Sequence, residues 1–164
     1  MGLHHALPLL LIVAIAAVHV MPTPATAADE ELIVRQSDFG VTKTLDRLGI
    51  ALERKGMKVF TRLKHAKGAA SFGMDLAPNA ALISVSPKTG TPLMTFNQAI
   101  GLDVPLKAVV WKAADGTVKL PYTDPVILAK HYGIEGRAKV FEKIAGALNK
   151  FTDMATKCGG LPKQ

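Results

Sequence analysis

The sequence predicts an α+β domain, an antiparallel sheet with helices packed on one face, in the order β-α-β-β-α-β-β-α. Three observations carry that class. Apolar residues recur at three- and four-residue steps over 41–52 and 137–157, which gathers them on one face of a helix. Met57, Val59, Thr61 and Leu63 alternate with Lys58, Phe60, Arg62 and Lys64, the period-two pattern of a strand with one buried face. Asp115-Gly116 stands between two strand-like runs, a strong local hairpin signal. Strands joined by hairpins, with helices between them, favour an antiparallel sheet.

Taken in order, residues 32–36 (LIVRQ) form a short strand, and Ser37, Asp38 and Gly40 signal a helix start. Val41, Leu45, Leu48 and Leu52 line that helix, and Gly56 closes it by accepting the left-handed conformation beyond a helix end. The strand over 57–64 ends at His65 and leads into a Gly/Ala stretch, 66–73. Residues 80–86 form the next strand, followed by the turn Pro87-Lys88-Thr89-Gly90. Thr91 then caps a short helix with Pro92 in its first turn, ending at Gly101. Residues 106–112 and 117–122 are the hairpin strands; Pro121 has no N–H for a ladder, which places the second of them at an edge or ends it early. Asp124-Pro125 opens a short helix reaching His131, and the long helix over about 137–157 carries Phe141, Ile144, Leu148, Phe151 and Ala155 on one face. No linker or repeat divides the chain, so residues 28–164 are expected to form one domain.

Residues 1–27 have the layout of a cleavable signal peptide: an apolar run from Leu9 to Val18, then Pro22 and Pro24, then Ala25-Thr26-Ala27 before the cut. The apolar run is too short for a membrane span, which needs about 20 residues. Removing residues 1–27 from 164 leaves 137, the size of one domain, and the removed part holds no Asp, Glu, Lys or Arg, so the full +7 charge stays on the mature chain. Export, to the periplasm or beyond the cell, argues against nucleic acid as the partner of that charge. The spread of Lys139, Lys143, Lys150 and Lys157 around one helix reads as a solvated face. Cys158 is the only cysteine, so no internal disulfide forms, and its Gly-rich surroundings give it the character of a free thiol.

One stretch, Pro87-Lys88 followed by Gly90-Thr91-Pro92-Leu93-Met94, is joined by Val59-Phe60 through His65, by Gly68 and Ala69, by Gly101 through Lys107 (GLDVPLK) with Val110 and Trp111, by Tyr122 with Asp124-Pro125, and by His131 and Gly133. Together these resemble the bacterial domain-of-unknown-function family numbered 302, over about residues 33–133, with the C-terminal helix as an extra element. The resemblance implies a compact fold similar to the TATA-binding-protein superfold and a homodimer. It implies no activity, and likeness to a DNA-binding fold is no evidence of DNA binding.

The candidate site residues fall in three groups. His65 stands at a strand end beside small residues that permit close approach of a ligand; one reading makes it an axial haem ligand, with Met74, Met94 or His131 as partner, and the other a hydrogen-bonded histidine at the sheet edge. Lys88 and Thr91 flank a strand-to-helix turn whose free N–H groups suit a small anion, although the spacing is not that of a phosphate loop. Trp111 offers an indole N–H and a stacking surface. Asp103, Asp115 and Asp124 form no acid–base pair by spacing, and no Ser lies in a Gly-x-Ser-x-Gly setting. The sequence thus points to an exported non-enzymatic ligand-binding or interaction domain, with a small anion as one candidate ligand, working as a homodimer through residues 62–74. A haem- or metal-handling protein using His65 is the alternative, and a hydrolase stands third.

Overall fold

The computed structural model describes residues 31–161; residues 1–27, expected to be a signal peptide, lie outside them. Five strands, β1 (Leu32–Ser37), β2 (Lys58–Leu63), β3 (Asn79–Val85), β4 (Leu106–Lys112) and β5 (Val118–Thr123), form one antiparallel sheet in the order β1-β5-β4-β3-β2. Between and after them come α1 (Val41–Glu53), α2 (His65–Ser71), α3 (Pro87–Met94), a 3-10 turn (Gln98–Leu102), α4 (Pro125–His131) and α5 (Ala138–Thr156). The expected α+β class is what the chain adopts. No helix among the described residues is long and apolar enough to cross a membrane.

The main core lies between the sheet and the apolar faces of α1 and α5. Leu45, Leu48 and Leu52 from α1 meet Leu148, Phe151 and Ala155 from α5 over Leu82, Val110, Leu120 and Tyr122 of the strands. A second cluster joins Leu93, Ile100, Leu128 and Ile134 to Phe141, the first large apolar side chain of α5. The long helix therefore serves both clusters, so it is a structural half of the domain and no appendage.

Polar groups lock α5 in place. Arg47 of α1 donates to the carbonyls of Ala155 (3.0 Å), Met154 (2.8 Å) and Lys157 (2.9 Å), satisfying last-turn acceptors that a helix leaves without internal partners. Its guanidinium also lies 4.3 Å from the Phe39 ring centre. Asp38 accepts from the Cys158 N–H at 2.9 Å; that bond, followed in smaller measure by Lys157, holds its carboxyl below the ordinary value of 3.8. Toward the middle of α5, the Asn149 Oδ1 accepts from Tyr122 (2.6 Å) and Arg35 (3.0 Å), tying two strands to the helix.

Three expectations need correction. Pro121 lies in β5, an interior strand, where it stands opposite Val34 of β1. The cost appears on the other side: β4 and β5 pair at Ala108↔Tyr122, Trp111↔Lys119 and Lys112↔Val118, and the ladder lapses in between, at Pro121 and Leu120. The free edges are β1 and β2, and β2 has an irregularity in register at Phe60, between Val59 and Thr61, of the kind that blunts an edge. The Gly/Ala stretch after His65 is a short helix, α2, because alanines sustain a turn when nothing opposes it. Finally, α3 starts four residues before Thr91: Ser86 is its N-cap position, Pro87 opens it, and Pro92 sits inside. Gly90 lies in this helix, where a Cβ would come within 2.7 Å of the Val104 side chain, so the packing there calls for glycine. The hairpin fell as expected, with Gly116 at φ 83° in its turn and Asp115 accepting from the Thr117 N–H.

Candidate functional site

Side chains alternate between faces along a strand, and the register fixes which ones share a row across the sheet. Ala80, Leu82, Val110, Leu120 and Tyr122 enter the core, so Ala81, Val109 and Pro121 turn to the opposite face. Ala81 pairs with Leu63 and with Val109, the constant β4–β5 register sets Val109 against Pro121, and Pro121 pairs with Val34. Leu63, Ala81, Val109, Pro121 and Val34 thus form an apolar row through all five strands, about 19 Å long at ~4.8 Å per strand. The row on one side holds Asn79, Trp111, Lys119 and Gln36; the row on the other side holds Thr61, Ile83, Lys107, Thr123 and Leu32.

An antiparallel sheet with one face in water normally shows polar side chains there. Here that face is apolar at its centre, and neither core cluster draws on it. It holds a shallow concavity of about 500 Å³ whose lining includes Leu32, Val109, Trp111 and Pro121, with Asn79, Lys107 and Thr123 around them. The Asn79 Oδ1 is buried and has no hydrogen-bond partner among the described residues, an acceptor left for a donor to meet. Lys107 is held back at one end: its ammonium donates to the Leu102 carbonyl (3.0 Å) and approaches Asp103 (3.4 Å). Asp103 also accepts from the Tyr132 hydroxyl at 2.6 Å, and this bond, then burial, raises the phenol above its ordinary 10.0. Burial above all raises the Tyr122 phenol on the core side of the same strand end. Beneath the sheet, a separate void of about 30 Å³ among Leu48, Leu82, Ser84, Leu148 and Thr152 has room for a water or two and no more.

Of the residues singled out in the sequence, only Trp111 belongs to this face. His65 is exposed at the first position of α2, and His131 is exposed at the end of α4, its ring edge-on to Tyr132 with centres 4.9 Å apart. Met74 is 60% exposed, whereas Met94 packs against the second core cluster. Neither of these two concavities is lined by either histidine or by those methionines. Among the described residues no group of three or more His, Cys, Asp and Glu side chains comes together as a metal site. Lys88 and Thr91 are both exposed on α3. At its start Pro87 has no N–H, and the Thr89 and Gly90 N–H groups both donate to the Ser86 carbonyl (2.9 and 2.8 Å), which leaves the Lys88 N–H for an anion. Thr91 is a full turn from that end. Cys158 is exposed.

Val34, Asn79, Ala81 and Val109 went unnoticed in the sequence, and Pro121 was noted only for its missing N–H. The signal was present in LKAVVWK, where residues on both sides of the strand are apolar, which a strand facing water does not need.

Fold and face together define an α+β domain with a second, partly exposed apolar sheet face outside its core clusters. The family described as domain of unknown function DUF302 matches residues 33–151, and the chain belongs to it. Its reach to residue 151 takes in most of α5, correcting the expectation that the family likeness stops near residue 133. A crystal structure of an uncharacterized conserved DUF302 protein from Bacillus stearothermophilus shares the fold with TM-score 0.69 at 21% identity, covering 76% of this chain and 97% of that one. Among curated proteins, the fluoride-specific ion channel FluC 1 of Brucella suis is 35% identical over 116 residues, 71% of this chain and 46% of that protein. FluC 1 of Brucella abortus and FluC 2 of Brucella melitensis are also 35% identical over 116 residues, 43% of each. The chain spans less than half the length of these relatives.

Proposed function

We propose that this is an exported, non-enzymatic binding domain that takes an apolar ligand or partner segment on the open face of its sheet. The observation that carries the reading is the apolar row from Leu63 to Val34, laid across five strands outside both core clusters, with Leu63 and Val34 exposed at its ends, Val109 half-buried, and Ala81 and Pro121 buried between their neighbours. Covering such a row removes apolar surface from water, at roughly 25 cal/mol per Å². The unpartnered Asn79 oxygen at its border supplies direction to the contact, since a bound donor would satisfy it. The curated relatives support a setting at a membrane, because each is named as a channel and carries this domain within a longer chain. A small-anion reading has less behind it, with one free N–H beside Lys88, and no observation favours His65 as a haem ligand.

Trp111 is the only tryptophan and lies on the proposed surface, so its emission is a direct probe. Titration with anilinonaphthalene sulfonate, an apolar aromatic anion, is expected to quench Trp111 saturably with energy transfer to the dye. Val109→Asp places a carboxylate in the apolar row and should weaken the dye at least tenfold; Leu32→Ser, at the rim of the concavity, should weaken it by less, and Lys88→Ala not at all. Non-saturable quenching, or equal affinity in Val109→Asp and Leu32→Ser proteins that still melt cooperatively, would sink the reading.

A further inference from the structure

Five of the ten large hydrophobic side chains that stand exposed among the described residues fall within one stretch: Phe60 (69%), Leu63 (43%), Phe72 (82%), Met74 (60%) and Leu76 (43%). The fold sets four of them at one end of the sheet, while Phe60 lies within β2. Leu63 is the last residue of β2, and Phe72, Met74 and Leu76 belong to the connection that carries the chain through α2 to β3. That connection has a fixed shape, with the Gly73 N–H bonded to the Ala70 carbonyl (3.1 Å) and the Met74 N–H to the Ala69 carbonyl (3.0 Å), which closes α2 and holds Phe72 and Met74 outward. Exposed apolar residues scattered singly need no explanation, whereas a concentrated set marks an interaction surface.

Charge identifies what meets it. Lys58, Lys64 and Lys67 are exposed in or beside the same stretch, and Asp75 is its one acid. Arg62 is already paired with Asp46 at 2.6 Å. A second copy related by a two-fold axis would bring these lysines up against their own counterparts, with one aspartate each in compensation. A surface of negative charge over an apolar interior matches both features at once. We propose that the α2 corner docks on an anionic lipid bilayer, Phe72 and Met74 entering the headgroup boundary while Lys64 and Lys67 lie among the phosphates. Leu63 also ends the apolar row of the open sheet face, but neither variant below alters that row, and this inference does not depend on what binds there.

The experiment is co-sedimentation with vesicles. Both core clusters lie within residues 33–161, so the chain from Ala28 keeps the whole core and is free of the apolar run at 9–18. It should sediment with phosphatidylcholine vesicles containing phosphatidylglycerol and stay in solution with phosphatidylcholine alone. Lys64→Gln with Lys67→Gln should weaken binding about thirty-fold, at ~1 kcal/mol per basic residue near the surface. Phe72→Ser with Met74→Ser should weaken it about tenfold or more. Both double variants should melt as the parent does, because the altered side chains are exposed. Equal binding to the two kinds of vesicle, or no loss in either variant, would overturn the proposal. So would a dimer in light scattering that Phe72→Ser with Met74→Ser splits while the parent ignores vesicles, since a second copy would then be the occupant.

Discussion

A chain ending at Gly136 is expected not to fold. Truncation there removes Phe141, Leu148, Phe151 and Ala155, which the two core clusters share, and uncovers Leu45, Leu48, Val110 and Leu120 opposite them. Burying three large apolar side chains is worth roughly 5–9 kcal/mol at ~1.5–3 each, which rivals the whole stability of a domain this size, about 5–15 kcal/mol. Far-ultraviolet circular dichroism of the truncated chain should show no cooperative melt. A sharp transition near that of the parent would mean that α5 is dispensable after all.

Arg47→Ala should carry the next largest cost. Its guanidinium serves three carbonyls at the C-terminal end of α5, Ala155, Met154 and Lys157, and stacks on Phe39. Removing it leaves helix-end acceptors to whatever water reaches them and withdraws a positive charge from the negative end of the helix dipole. The expected loss is about 2–3 kcal/mol, a fall in Tm on the order of 10 °C. Arg47→Lys keeps the charge and loses the fork, so it should recover part of that loss. A Tm for Arg47→Ala within about a degree of the parent would show that the helix end is solvated well enough without it.

Periodicity made the two main helices and the hairpin legible, because each is specified locally: Leu45, Leu48 and Leu52 by helical spacing, Asp115-Gly116 by turn chemistry. Pro121 shows why strand order was not. Its missing N–H is a local property, yet its place in the sheet depends on β1 returning from the far end of the chain to pair along it, a long-range fact that no local pattern encodes. The same error hid the candidate site. With β5 taken as an edge, Pro121 and Val34 could not be seen as neighbours, and the row through Ala81 and Val109 exists only once all four pairings are known. His65 and Lys88 attracted notice because imidazole and ammonium groups are chemically versatile, but the fold leaves both on the surface apart from the described concavities. Gly90 was legible as a constrained position, though its reason lies in Val104 of a different segment.

The open-face claim is tested most directly by mapping where a bound apolar probe lies. Amide and methyl chemical shifts should be followed in the chain from Ala28 as anilinonaphthalene sulfonate is added. The account predicts that the largest changes fall on Val34, Asn79, Ala81, Val109 and Trp111 and reach half-saturation together. Changes centred instead on His65 and His131, or on Lys88 and Thr89 at the start of α3, with Val109 and Trp111 unmoved, would contradict it.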